Sequence, residues 1–147
     1  MHLKKIKIFF FLFLFFQNLN YSVSSEINFA LLKIKDKDIV FEVEIADTKE
    51  KREKGLMFRP ILDEKKGMLF ILPEPNFANI WMKNTILSLD ILFISENNII
   101  VDFVKETLPL SEKVHTSEVL VKYILEINAG LIDKIGIKIG DIIKIEY

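Results

Sequence analysis

The chain is 147 residues long, with 20 basic and 21 acidic side chains and no cysteine. That length fits one domain, and the nearly balanced, interspersed charge supplies no basic stripe for nucleic acid. The missing thiols exclude disulfides, cysteine nucleophiles and cysteine-held metals.

Residues 1–25 read as a secretory signal peptide. Lys4, Lys5 and Lys7 precede an unbroken apolar run over 8–16, and 17–25 turns small and polar, with Ser22 and Ser24 suiting cleavage after Ser24 or Ser25. An uncleaved anchor is the lesser alternative, because a spanning helix wants about 20 apolar residues. Cleavage leaves 26–147 as a single β-rich domain, periplasmic or extracellular, that meets the membrane only during export. It keeps 17 basic residues against 21 acidic, and His115 as its one histidine. A multi-histidine metal centre in one chain is then excluded. No metal or other cofactor and no nucleic-acid partner are expected, and the domain is expected to be monomeric.

In chain order, 27–34 and 39–45 flank the polar turn KDKD and are expected to pair as a hairpin. In ADTKEKREKG, Asp47 is the expected N-cap, Glu50 completes a capping box, and Gly55 ends a short charged helix over 48–54. A loop through Pro60 leads to a strand over 67–72, which the two prolines of PEPNF are expected to stop. Strands follow over 79–83, 87–95 and 99–105, the last two joined by a turn at ENN. The stretch 107–116 reads as a long exposed loop and a candidate flap. Residues 119–128 alternate as a strand, and the chain closes with a short helix ending near Gly136, a turn at Gly140 and Asp141, and a last strand. Many short strands and few helices predict a mainly β (α+β) fold: a small closed or partly open β-barrel with two short helices.

Polar residues inside apolar strands are the candidates for function. In LSLDILFI, residues 87–94, both faces are apolar except at Ser88 and Asp90, as in a strand covered on both sides. A carboxylate placed there must be paired, hydrogen-bonded or neutral. Lys83, Arg59 and Arg52 are the cations in reach, and a carboxylate that caps backbone amides is the structural alternative. Lys83, Asn84 and Thr85 separate two apolar segments with no glycine or proline, and Trp81 shares a face with Lys83 if this is strand. Glu126 and Asn128 repeat the pattern in the strand over 119–128.

If Asp90 and Glu126 converged, a separation of about 5 Å would suit a retaining glycosidase and about 6.5–9.5 Å an inverting one. His115, beside Ser111 and Ser117, lacks nucleophile-elbow glycines and is a weak triad candidate.

The segments EIADTKEKREKGLMFRP, KGMLFIL, IWMKNTILSLDILFI, YILEINAG and GIKIGDII, in this order and spacing, resemble the domain of unknown function 192 family, whose small members often carry an export signal. The resemblance spans about 43–145 and is most specific over 81–93. It implies a compact, mostly β domain and no settled activity. It places the family's recurrent polar features on Arg52, Gly55, Arg59, Trp81 and Lys83, and further on Asn84, Thr85, Asp90, Glu126 and Gly130. Ser88 stands where the family usually has proline, which leaves the entry into the strand less rigid.

Three functions are expected from these features. The first is binding of a small polar ligand or an envelope component in a pocket floored by Trp81 and ringed by Lys83, Asn84, Thr85, Asp90 and Arg59, with Arg52, Glu126 and Asn128 as further contacts. The second is a hydrolase acting on an envelope polymer, with Asp90 or Glu126 as general acid or base and Lys83 stabilising developing negative charge. The third is an accessory domain that meets a partner protein through a sheet edge.

Overall fold

The structure is a computed structural model that describes residues 28–147; the expected leader, 1–25, lies outside them. The elements in order are β1 (Phe29–Ile34), β2 (Val40–Ala46), α1 (Lys49–Lys54), β3 (Lys66–Asn76), β4 (Asn79–Ile80), β5 (Leu89–Ile94), β6 (Ile100–Val104), β7 (His115–Thr116), β8 (Val121–Asn128), α2 (Leu131–Ile135) and β9 (Ile143–Glu146).

One seven-stranded sheet, in the order β6-β5-β8-β3-β2-β1-β9, forms the body of the domain, and β4 pairs with β7 beside it. The β2–β3 pair is parallel and the rest are antiparallel. A parallel pair needs a crossover, and α1 with the loop that follows it supplies one. The sheet curls into a half-barrel, and its two edges meet at a single bridge between Ile99 and Ile142. The partly open form of the expected barrel is the one observed.

The curl gives two apolar layers. Leu32, Phe41, Val43, Leu69, Leu92 and Leu125 fill the concave side, which α2 closes with Leu131 and Ile132. The convex side of β3, β5 and β8 carries Met68, Phe70, Ile91, Phe93 and Ile124 under Leu56, Ala78 and Met82. Every residue of β5 is therefore buried, as its unbroken apolar character requires.

Several local expectations are corrected. The N-cap of α1 is Thr48, not Asp47: its hydroxyl accepts from the Lys51 amide at 3.2 Å, while Asp47 pairs with the Lys51 ammonium at 3.1 Å. β3 runs through both prolines to Asn76, because the ladder to β8 shifts register between Ile71 and Asn76 and asks nothing of the missing donors. The strand expected over 79–83 ends at Ile80. Beyond it Met82–Thr85 is a β-turn closed by Thr85 N–H to the Met82 carbonyl at 3.0 Å, with Asn84 at φ 56°. Asparagine tolerates that conformation, so the turn needs no glycine. The stretch 107–116, expected as an exposed loop, starts at the buried Thr107 and ends in β7, and it lies against this turn, with Leu110 N–H on the Thr85 carbonyl and Met82 N–H on the Ser111 carbonyl, both at 2.9 Å.

Candidate functional site

A cleft of about 740 Å³ opens on the convex side of the sheet. Strand alternation places Phe70 of β3 and Ile124 and Glu126 of β8 in its floor. Arg52 and Leu56 from α1 and its following turn form one wall, and Phe77, Ile80 and Trp81 from the β3–β4 arm form the other. Gly55 lets the α1 turn settle on the floor: at φ 47°, a Cβ there would sit 3.2 Å from the tip of Phe70.

Glu126 is the unusual group in this cleft. It is 5% exposed, and its cross-strand neighbours are Met68 on β3 and Ile91 on β5. Among the described residues, no cation and no hydrogen-bond donor reaches its carboxyl group. Burial alone pushes its pKa up to about 8, because charge is costly to bring into an apolar setting. At neutral pH the group is mostly a neutral acid. Thr85, also buried and also lining the cleft, donates its hydroxyl to the Lys83 carbonyl at 3.3 Å. Gly67 sets the position of Glu126, since a Cβ at 67 would come within 2.5 Å of the Glu126 carbonyl oxygen. Only a residue without a side chain admits β8 so closely.

Of the nine residues singled out from the sequence, Arg52, Trp81, Thr85 and Glu126 line the cleft. Trp81 is part of the rim rather than the floor: it is 46% exposed, with the Lys83 ammonium 5.1 Å from its ring centre. Arg52 is largely occupied by the backbone, donating to the Asp47 carbonyl and, at 3.0 Å, to the carbonyl of Ile71, the residue at which the β3–β8 ladder shifts.

The other five lie elsewhere. Asp90 is fully buried on the concave side, where Oδ1 accepts from the Glu106 amide and Oδ2 from the Ile132 amide, each at 2.9 Å. The second bond caps α2, whose N-cap, Gly130, has no side chain to do so. Asp90 is thus a brace, the structural alternative raised from the sequence. Lys83 pairs with Glu112 at 3.6 Å in an exposed setting, not with Asp90. Arg59 forms a two-pronged ion pair with Glu44. Asn84 exposes its side chain, and its carbonyl accepts from the Phe58 amide at 2.9 Å. Asn128 holds the 59–65 loop through the carbonyls of Leu62 and Asp63, at 2.9 and 3.1 Å.

The carboxylate pair does not form. Across the β5–β8 ladder Glu126 is opposite Ile91 and Asp90 is opposite Ile127, so the two acids project from opposite faces of the sheet. The serine–histidine arrangement fares no better, since the Ser117 hydroxyl accepts from the Ala78 amide and donates to the Val119 carbonyl, both at 2.9 Å. His115, on β7, has its pKa lowered by burial and by nearby Lys113. Ser88 donates to the Thr107 carbonyl at 2.8 Å and so ties the entry of β5 to the loop after β6.

Sequence reading missed Phe70, Leu56 and Phe77 as parts of the site. Phe70 is one apolar residue in an apolar strand, and nothing local marks which face of β3 will be left partly uncovered. The signal that was available is the alternation of Ile124 and Glu126, which puts an acid on an otherwise apolar face.

The family model DUF192, described as an uncharacterized ACR, matches residues 30–145. A UPF0127 protein of Thermococcus sibiricus is 34% identical over 111 residues, covering 74% of this chain and 69% of that protein. A second UPF0127 protein, from Pyrococcus furiosus, is 29% identical over 109 residues, covering 73% and 89%. Among solved structures, a candidate transcription regulator from Sinorhizobium meliloti superposes with a TM-score of 0.77 at 32% identity, covering 81% of this chain and 95% of that one. A protein of unknown function from Novosphingobium aromaticivorans superposes with a TM-score of 0.75 at 33% identity, covering 80% and 84%.

Proposed function

The chain belongs to the DUF192 family, and we propose that it is a binding protein whose convex-side cleft takes a small molecule with an apolar body and one polar group, the latter seated on Glu126. The observation that carries this reading is a buried carboxyl group with no partner of its own at the bottom of an open apolar cleft. A purely structural acid finds its partners within the fold, as Asp90 does with two amides. Glu126 has no partner within the described fold, and its carboxyl group opens onto the cleft. A ligand donor can take the place of water on that carboxyl group, while Phe70, Phe77 and Ile124 take up its apolar part.

With the leader as an export signal, the ligand is to be sought in the cell envelope. Hydrolysis by a pair of carboxylates has lost its geometry, because Asp90 lies on the other side of the sheet.

A thermal-shift screen of small amphiphilic molecules against the wild-type protein, Glu126→Gln and Phe77→Ala tests the reading. Molecules that raise the melting temperature of the wild type by a few degrees and of both variants by clearly less support it. If no such molecule shifts the wild type, or if hits act equally on all three proteins, the cleft is not the site.

A further inference from the structure

We infer that the polar group of the ligand is a protonated amine, held by the Glu126 carboxylate while an apolar body lies across Phe70 and Ile124 towards Phe77. This rests on the reading of the cleft as a ligand site and adds the chemical class of what binds there.

A carboxylate offers about four lone-pair sites, and no described N–H or O–H donates to that of Glu126. Thr85 gives its hydroxyl proton to the Lys83 carbonyl, so it too faces the cleft as an acceptor. Once Glu126 is ionised, the floor offers two acceptors and no donor, which suits a donor-rich group, and an ammonium carries three donors.

Charge points the same way. The cross-strand neighbours of Glu126 on β3 and β5 are Met68 and Ile91, Thr85 lines the same cleft, and among the described residues no cation pairs with the acid. Five charged side chains line the rim: Lys49 and Glu53, which pair at 3.7 Å, Arg52, which is occupied by two carbonyls, and Lys54 and Glu74, which oppose each other in sign. The rim thus holds three cations against two acids, all of them apart from the Glu126 carboxyl group, and an anionic ligand seated at the floor would meet that acid directly. A cation meets that acid in a low-dielectric setting, where opposite charges attract strongly, beside the aromatic rings of Phe70 and Phe77, which favour ammonium groups.

The proton balance is simple. Glu126 is mostly protonated before binding at neutral pH, and it must be ionised to hold an ammonium. Its proton therefore passes to solvent, close to one for each amine bound, and affinity rises as pH is raised towards about 8.

Isothermal titration of the whole protein with 2-phenylethylamine, 3-phenylpropanamide and 3-phenylpropionate, in two buffers of different ionisation enthalpy at neutral pH, tests the assignment. The expected result is that the amine binds about tenfold or more tightly than the amide or the acid and releases close to one proton. Glu126→Gln is expected to weaken the amine by a similar factor and abolish the release, while leaving the amide nearly unchanged. Tighter binding of the amide or the acid, or amine binding without proton release, overturns the amine while leaving the cleft as a ligand site. If none of the three binds, the amine is overturned, and the thermal-shift screen decides the cleft reading separately. The proton count on the wild type needs no variant, so the test survives a Glu126→Gln protein that does not fold.

Discussion

Asp90 and Glu126 stand one register position apart across neighbouring strands and project to opposite sides of the same sheet. Glu126 meets Ile91 and Asp90 meets Ile127. One acid accepts from two amides and holds the fold together; the other has no partner within the described fold and opens onto a cleft.

Asp90→Asn is expected to destabilise the domain by about 2–4 kcal/mol, because the variant loses a charge-assisted acceptor and turns an amide N–H₂ towards either the Glu106 or the Ile132 amide. Urea unfolding at neutral pH measures this. A variant as stable as the wild type removes the brace.

Glu126 links stability to pH. Its ordinary pKa is 4.5 and burial raises it to about 8 in the folded protein. Below 4.5 both folded and unfolded chains hold the proton, and the site carries no pH-linked penalty. Between 4.5 and about 8 the folded chain keeps a proton that the unfolded chain releases, so stability falls as pH rises and the loss levels off above about 8. The full loss is several kcal/mol. Glu126→Gln does not titrate, so its stability relative to wild type is expected to improve steadily from pH 5 to pH 8. Parallel profiles for the two proteins would sink this account.

Gly67→Ala places a methyl group against the Glu126 carbonyl oxygen and the Ile127 side chain. Neither backbone can give way without opening the β3–β8 ladder, so a loss of about 1–3 kcal/mol is expected. The floor of the cleft moves with it, so ligand response should weaken even where the variant folds. Unchanged melting and unchanged ligand response together would contradict the close approach.

Lys83→Ala should leave stability within about 0.5 kcal/mol, since its partner Glu112 is exposed and its contact with the Trp81 ring is at the surface. A loss comparable to that of Asp90→Asn in the same urea experiment would mean that Lys83 has a buried role.

Much of the fold was legible before any coordinates. The hairpin of β1 and β2, the short helix ending at Gly55, the doubly buried β5 and the terminal turn at Gly140 all follow from local alternation and turn chemistry. Membership of the family was legible too, in the run from Trp81 to Phe93. The stop at Pro73 and Pro75 was misread because a proline breaks a ladder only where its N–H is wanted, and the register shift there wants neither. Trp81 and Lys83 were placed on a strand that ends before them, because a turn made by asparagine at positive φ leaves no glycine or proline to announce it.

The sequence by itself determined that Asp90 lies in a strand covered on both sides, where its charge must be compensated, and that Glu126 stands among apolar residues of a second strand, since both follow from side-chain chemistry and the period of a strand. Tertiary structure alone decided that Asp90 is compensated within the fold and that Glu126 opens onto a cleft without a partner. Partner amides for Asp90 come from residues 16 and 42 positions away, and the register of β8 against β5 and β3 sets the face on which Glu126 stands. Such pairings are fixed by long-range packing, where a shift of one residue reverses every face, and no local pattern records them.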